Sequence, residues 1–248
     1  MTDTDKPLAD RVILITGAGG GIGAAVARGV AAAGGECVLL GRRERTLNGV
    51  YDAIRADGGP EPALFPLDVT RAGEDDYQRL VDGIADDCGH LDGIVHLAAR
   101  FDSLMPLATH PIDGWQRIMH VNTTATFALT QTCLPLLQSA EDASVVFTLD
   151  NAAARPKAFW GAYAASKAAL TTLMQLFAEE HAQSDSLRFN GIDPGPRSTD
   201  LRKKAFPADD PAAKPIDGLA QHYVHLLSRA ARGTNGQIID ARETGSSP

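Results

Sequence analysis

The chain has 248 residues, and its 23 lysines and arginines against 31 aspartates and glutamates give a formal net charge of −8 at pH 7. This length suits one large domain, which we expect to span 1–248, and the acidic balance argues against a nucleic-acid partner. The sequence shows no secretion signal, no membrane-length apolar run and no metal-binding spacing among its three cysteines. We therefore expect a cytoplasmic protein with no metal and no membrane partner.

Short apolar runs alternate with longer helical patterns along nearly the whole chain. The runs predict strands near 11–16, 36–41, 63–67, 92–98, 144–149, 187–193 and 236–240. The intervening patterns predict helices near 21–33, 44–57, 74–88, 113–138, 158–182 and 216–229. Right-handed crossovers then give an α/β fold, a doubly wound Rossmann-type parallel sheet of about seven strands with helices on both faces. The least regular stretch, 199–215, is a candidate lid or substrate loop.

A glycine-rich segment joins the first predicted strand to the first predicted helix. Its glycines permit a tight turn and close approach of the backbone to a phosphate, while the amides at the helix start attract the anion. An ordinary glycine-rich turn is the alternative, which the later motifs disfavour. The segment predicts a dinucleotide site that includes Gly17, Gly19, Gly21, Ile22 and Gly23.

Tyr163 and Lys167 lie one turn apart in a predicted helix. An ammonium group at this spacing can lower the pKa of the phenol, which is otherwise about 10. A tyrosine tuned in this way can exchange a proton near neutral pH. Core packing of Tyr163 and a solvated Lys167 are the simpler alternatives.

The glycine spacing and the Tyr163-x-x-x-Lys167 motif together resemble the short-chain dehydrogenase/reductase family over essentially the whole chain. The resemblance implies that Tyr163 protonates a carbonyl oxygen during hydride transfer and that Lys167 lowers the tyrosine pKa and binds the nicotinamide ribose. It implies that Asn122 organises a relay water. It also implies cofactor contacts at Tyr163 and Lys167 themselves and at Asp68, Val69, Ala98, Pro194, Gly195 and Thr199.

The run 160–167 and the following Ala205-Phe206-Pro207 are further similar to a bacterial branch described as oxoacyl-carrier-protein-reductase-like, a label that carries little substrate information. The family resemblance implies a small-molecule carbonyl or alcohol substrate. It also implies a homodimer or homotetramer formed through the helices predicted at 113–138 and 158–182.

Cofactor preference is usually decided at the end of the second strand. This chain has Arg42 and Arg43 there, and a guanidinium matches the geometry of a 2′-phosphate. We expect NADP(H) to be favoured over NAD(H). Both arginines could instead be solvated charges at a helix start, and that alternative is weaker for Arg42 than for Arg43.

Asp150 departs from the family pattern, which has a serine thirteen residues before the tyrosine. An ionised carboxylate cannot donate a hydrogen bond to a developing oxyanion, and its charge would raise the pKa of Tyr163. Three explanations stay open: a protonated Asp150 that donates as the serine would, a donor amide on Asn151, or cofactor binding without efficient turnover. A solvated, irrelevant Asp150 is disfavoured by its register with Tyr163.

Three further features have competing interpretations. At the fourth strand, His96-Leu97-Ala98-Ala99 replaces the family's Asn-Asn-Ala-Gly, and we expect His96 to be a core residue rather than an acid or base. The aromatic side chains of Phe159, Trp160 and Phe206 line a pocket or pack a lid. A basic group in the lid region fits either an anionic substrate or a solvated face, and its members are Arg197, Arg202, Lys203 and Lys204.

The leading hypothesis is an NADP(H)-dependent reductase or alcohol dehydrogenase with Asp150 in the serine position. The alternative from another class is a cofactor-binding regulatory or assembly protein with weak catalysis. Loss of dinucleotide binding altogether is the third possibility.

Overall fold

The computed structural model describes residues 6–206, 208 and 212–243. Within them, one parallel sheet has the strand order β3-β2-β1-β4-β5-β6-β7. The strands are β1 Val12–Thr16, β2 Glu36–Gly41, β3 Ala63–Pro66, β4 Gly93–His96, β5 Ala143–Thr148, β6 Leu187–Asp193 and β7 Ile238–Asp240. The strand order reverses between β1 and β4, which opens a crevice at their carboxyl ends. The predicted fold class is confirmed.

Eight α-helices connect or flank the strands in the described part of the chain. They are α1 Gly21–Ala32, α2 Glu44–Ala56, α3 Glu74–Asp87, α4 Ile112–Met119, α5 Ala125–Ser139, α6 Gly161–Glu180, α7 Asp200–Ala205 and α8 Ala220–Leu227. The helix predicted over 113–138 is divided by a π-helical turn, His120–Thr124. The stretch expected to be least regular contains α7, a helix too short to show amphipathic periodicity.

Alternate residues of the central strands face two separate apolar layers. In β1, Val12 and Leu14 pack with residues of α3, α5 and α6, whereas Ile13 and Ile15 pack with residues of α1, α2 and α8. Because side chains alternate along a strand, a sheet covered on both faces needs apolar residues at successive positions. This explains why the predicted strands are continuous apolar runs.

A buried charge cluster lies just before β5, at the amino-terminal ends of the strands and opposite the crevice. The Asp142 side chain is 1% exposed and accepts hydrogen bonds from Arg11 Nη1 at 2.6 Å and Arg188 Nη1 at 2.5 Å. Arg232 Nε lies 3.2 Å from the same carboxylate. The cluster links the start of β1 to β5 and β6, so it holds the amino-terminal ends of these strands together.

Across the described residues, no helix combines the length and apolar character that a membrane span requires. The three cysteines are free, and Cys37 and Cys133 are buried, as expected of thiols that serve packing.

Candidate active site

A cleft of about 1080 Å³ opens along the carboxyl ends of the strands and is lined first by the glycine loop between β1 and α1. Gly17 has a φ of 68°, a conformation that favours glycine, and a Cβ there would lie 2.8 Å from the Ala98 nitrogen. A Cβ on Gly23 would lie 2.1 Å from the Gly17 oxygen. Glycine is therefore required at both positions, because the loop packs directly against the start of the segment after β4 and against its own backbone.

We expect Gly23→Ala to weaken dinucleotide binding and to destabilise the fold by about 1–3 kcal/mol, because the added methyl must displace the Gly17 carbonyl. Calorimetric titration with NADPH and thermal unfolding would measure both effects. Gly49→Ala is the matched control, since its Cβ meets nothing within 4 Å and alanine favours the helix. Equal effects of the two substitutions would contradict the explanation.

Two arginines and an aspartate form the end of the cleft beyond β2 and β3. Arg42 and Arg43 are exposed and line the cleft with Asp68 and Val69. Burial works to raise the pKa of Asp68, but hydrogen bonds from Thr70 and the charge of Arg42 outweigh it and lower that pKa. An anionic Asp68 beside a cationic Arg42 can accept from an adenine amine while the arginine attracts a phosphate.

At the other end of the cleft, the Tyr163 hydroxyl donates a hydrogen bond to Asp150 Oδ2 at 2.9 Å. Asp150 Oδ1 accepts from the Ala152 nitrogen at 2.8 Å. Lys167 Nζ donates to the Thr148 carbonyl at 2.8 Å, which leaves two of its three protons for a ligand. Both predicted catalytic side chains of α6 thus face the cleft beside Asp150.

The protonation behaviour of Tyr163 differs from the expectation that the lysine would lower its pKa. Burial first, then the charge and hydrogen bond of Asp150, raise the pKa of Tyr163 well above its usual value. Burial lowers the pKa of Lys167 to about 8, although Asp150 and Asp193 oppose the shift. The direction of this shift agrees with the repulsive effect expected of Asp150, and a phenol with a raised pKa stays neutral near pH 7.

Other hydroxyls of β5 do not take the place of the missing serine. Thr148 Oγ1 is hydrogen-bonded to the Tyr223 hydroxyl at 3.0 Å, and Ser144 Oγ donates to the Leu226 carbonyl at 2.8 Å. Asn151 lies in the cleft wall beside Asp150. Neither β5 hydroxyl is available to a substrate oxygen.

Asp193 is a further acid in the cleft, close enough to Asp150 for their charges to interact, and the sequence reasoning missed it. It ends β6, is buried, and its Oδ1 accepts from the Gly195 nitrogen at 2.9 Å. Burial raises the pKa of Asp193, and the nearby charge of Asp150 adds to the shift. A useful signal was present, because ligands of open α/β sheets bind outside the carboxyl ends of the strands, and Asp193 is the last residue of β6.

Asn122 lies in the π-helical turn beneath the cleft and does not line it. Its Nδ2 donates to the Arg100 carbonyl at 3.0 Å and to Ser166 Oγ at 2.9 Å, and its Oδ1 accepts from the Arg100 nitrogen at 2.7 Å. Ser166 Oγ in turn donates to the Tyr163 carbonyl. The amide therefore joins α6 to the loop after β4, and a relay role for Asn122 stays a prediction.

His96 is a core residue, as expected. Its ring is buried against Phe147, Nε2 lies 2.8 Å from Thr130 Oγ1, and burial lowers its pKa to about 3. A buried imidazole with so low a pKa is too weak a base to take up a proton near pH 7, so it does not serve as an acid or base there. The nitrogens of Leu97 and Ala98 both donate to Thr16 Oγ1, so a threonine hydroxyl connects β4 to β1 here.

Aromatic rings form one wall of the cleft around Tyr163. Phe101 lies edge-on to the Tyr163 ring at 5.5 Å, and Trp160 is 5.7 Å from it and 6.1 Å from Phe206. Trp160 and Phe206 line the cleft, whereas Phe159 is exposed outside its wall with a φ of 74°. Pro207 lies outside the described residues.

The four basic residues expected near the lid have different surroundings. Arg197 is buried and donates to the carbonyls of Pro194, Pro215 and Ala241, so it is structural rather than available to an anion. The Arg202 guanidinium lies 4.2 Å from the Phe206 ring centroid and 5.8 Å from that of Trp160. Lys204 donates to the Phe101 carbonyl, and exposed Lys203 lies 3.8 Å from Asp200.

Every residue expected to contact cofactor lies in this one cleft. Besides the glycine loop, Arg42, Arg43, Asp68 and Val69, the wall includes Ala98, Tyr163, Lys167, Pro194, Gly195 and Thr199. The glycine cradle, the Lys167 ammonium and the cleft volume fit a nicotinamide dinucleotide with space beside Asp150 for a small substrate.

Comparisons with known proteins agree with this geometry. The short chain dehydrogenase family model matches residues 11–210. The chain is 39% identical over 237 residues, 95% of this chain and 93% of that protein, to the uncharacterized oxidoreductase YciK of Escherichia coli K12. It is 34% identical over 198 residues, 78% of this chain and 74% of that protein, to an (S)-benzoin-forming benzil reductase of Saccharomyces cerevisiae.

A solved structure gives a further comparison. The crystal structure of a short chain dehydrogenase from Escherichia coli CFT073 complexed with NADPH has a TM-score of 0.91 and 39% sequence identity. The alignment covers 96% of this chain and 98% of that one.

Proposed function

The chain belongs to the short chain dehydrogenase family, and on that premise we propose that it transfers hydride between NADP(H) and a carbonyl or alcohol substrate with Asp150 in the serine position. The convergence of the glycine loop, Tyr163 and Lys167 in one cleft carries the proposal. The NADPH complex of the similar Escherichia coli dehydrogenase supports the choice of cofactor. The benzil reductase relative supports reduction as the direction.

The bound cofactor would supply the hydride, and the chain would bind and orient it. The glycine loop would hold the pyrophosphate, Asp68 and Val69 would contact the adenine, and the Lys167 ammonium would donate hydrogen bonds to the nicotinamide ribose. Ala98, Pro194, Gly195 and Thr199 would form the wall beside the nicotinamide. Tyr163 then holds the proton that a reduced carbonyl oxygen must receive.

Arg42 is the proposed selector of the 2′-phosphate. We expect Arg42→Ala to weaken NADPH binding about 10- to 100-fold, because it removes a charge-assisted hydrogen bond, and to leave NADH binding nearly unchanged. Titration of the purified protein with both cofactors measures the ratio. Arg45→Ala is the matched control, since Arg45 is exposed on α2 outside the cleft wall. An NADPH affinity that survives in Arg42→Ala would assign the selection elsewhere.

A broad test of the activity measures NADPH oxidation over a panel of ketones, aldehydes and imines, with cofactor binding measured in parallel. Turnover of any of these compounds supports the proposal, and turnover of a ketone or aldehyde should in addition require Tyr163. Cofactor binding without turnover of any compound over a wide pH range would contradict the proposed hydride transfer.

A weakly catalytic, cofactor-binding regulator is the second candidate, and the Asp150 contact with Tyr163 favours it. In that role the protein is stabilised by NADP(H) through mass action, and its cellular role does not depend on the Tyr163 hydroxyl. A Tyr163→Phe protein that fails to replace the wild type in cells would exclude this candidate.

We further propose a homodimer or homotetramer formed through α5 and α6. Phe127 on α5 is 40% exposed and Leu176 on α6 is 53% exposed, and large apolar side chains on neighbouring helices favour burial in an interface. Sedimentation analysis of the wild type and of Leu176→Glu tests this, with a monomeric wild type as the contrary result.

A further inference from the structure

Asp150 gives the reacting end of the cleft a hydrogen-bond acceptor, which suits a protonated C=N bond better than a C=O bond. The carboxylate accepts hydrogen bonds at both oxygens, from Tyr163 and from the Ala152 nitrogen. A carboxylate has about four acceptor positions, so two remain for a donor on a ligand. A ketone oxygen has no hydrogen to donate there, whereas the N–H of a protonated C=N bond does.

The charges around the Tyr163 hydroxyl point the same way. Two negatively charged side chains, Asp150 and Asp193, lie near this hydroxyl. Two positively charged side chains, Lys167 and Arg202, lie near it as well. A serine in place of Asp150 would leave a net positive group of charges that stabilises an oxyanion. With Asp150 the charges balance, and the group that touches the tyrosine hydroxyl is an acceptor.

The wall of the cleft is also suited to a cation. Phe101, Trp160, Tyr163 and Phe206 pack into one aromatic cluster that lines the cleft, and two of these rings already lie beside the Arg202 guanidinium. Aromatic faces attract cations through their quadrupoles. A flat, cationic C=N compound therefore has both a charge partner and a stacking surface beside Tyr163.

We propose that this site reduces protonated imines in preference to ketones, with Asp150 as the residue that selects the C=N–H⁺ group. The proposal rests on the proposed hydride transfer and assigns it a substrate class. The C=N carbon accepts hydride supplied by NADPH, the π electron pair moves to nitrogen, and an amine and NADP⁺ result. Because the nitrogen already carries its proton, no oxyanion forms and no serine donor is needed.

Matched pairs of substrates test the preference. The probes are 3,4-dihydroisoquinoline against 1-tetralone and 2-methyl-1-pyrroline against cyclopentanone, each with wild type, Asp150→Asn and Asp150→Ser under saturating NADPH. We expect wild type to have the higher kcat/KM for the imine of each pair. Asp150→Asn keeps the shape and removes the charge, so imine reduction should fall about 10- to 100-fold. Asp150→Ser should restore a donor and raise ketone reduction about 100-fold.

A binding measurement separates recognition from turnover. Tetrahydroisoquinoline, a cation at neutral pH, should bind the NADP⁺ complex of wild type about 10- to 100-fold more tightly than that of Asp150→Asn. Neutral 1-tetralol should bind both complexes with the same affinity. Glu61→Gln is the matched control, because Glu61 also accepts from a tyrosine hydroxyl but lies outside the cleft wall.

Ketone reduction that exceeds imine reduction in wild type, or equal binding of the cation by wild type and Asp150→Asn, would overturn the imine preference while the proposed hydride transfer stands. Cation binding that depends on Asp150 without turnover of any probe would support the recognition and count against the proposed hydride transfer.

Discussion

Tyr163→Phe should reduce hydride transfer by about 100- to 10,000-fold, the usual contribution of a positioned proton donor. The substitution removes only the hydroxyl that now donates to Asp150 Oδ2. The ring keeps its contacts with Phe101 and Trp160, so the cleft wall should stay intact. Steady-state kinetics at saturating NADPH, on the best ketone or aldehyde of the panel, gives the comparison, because a carbonyl oxygen must receive a proton.

The kinetic loss must be separated from a loss of cofactor binding. Lys167 and the glycine loop are untouched, so the dissociation constant for NADPH should change by much less than the rate, at most by the loss of the Tyr163 hydroxyl contact. Tyr51→Phe is the matched control, because Tyr51 on the exposed side of α2 also donates to an acid, Glu61 Oε1, at 2.7 Å. Full activity in Tyr163→Phe would show that the proton comes from another group, with Asp150 the first to examine.

Asp142→Asn should destabilise the protein by about 3–5 kcal/mol, the cost of removing one partner from a buried ion pair. The substitution leaves the guanidinium groups of Arg11 and Arg188, whose side chains are each 6% exposed, without their shared carboxylate. Urea unfolding followed by circular dichroism measures the change. Asp57→Asn is the control, since the Arg28–Asp57 pair is more than half exposed and should be worth at most about 1 kcal/mol.

The same carboxylate predicts an acid dependence of stability. Burial works to raise the pKa of Asp142, but the hydrogen bonds from Arg188 and Arg11 prevail and lower it. A group whose pKa is lower in the folded state stabilises the fold above its unfolded pKa, about 3.9, and loses that contribution as the pH falls. Wild type should therefore lose more stability than Asp142→Asn on acidification below about pH 4. Parallel pH profiles would contradict this.

The fold was predictable because its signals are local. Apolar runs buried on both faces of the sheet have no polar interruption, and the glycine loop follows β1 in a spacing that few other structures require. The boundaries and interruptions of the helices were less predictable. The π-helical turn at His120–Thr124 has no sequence signature of its own, and α7 is shorter than two helical turns.

The site was predictable in its membership but not in its electrostatics. The cleft contains every expected cofactor residue, yet the raised pKa of Tyr163 depends on its burial and on the direction of the Asp150 side chain. Asp193 and Arg202 act on the same hydroxyl from β6 and α7. From the sequence, Arg197 could serve as a cation for an anionic ligand. The structure shows instead that its guanidinium donates to three backbone carbonyls.

Those three bonds have an evolutionary consequence. One guanidinium holds Pro194, Pro215 and Ala241, and the Lys214 nitrogen also donates to the Pro196 carbonyl, so the two ends of the stretch between 198 and 214 are held together just after β6. A loop whose ends are already joined tolerates changes of length at small entropic cost. Insertions and deletions between these two ends should therefore leave the sheet and the glycine loop in place.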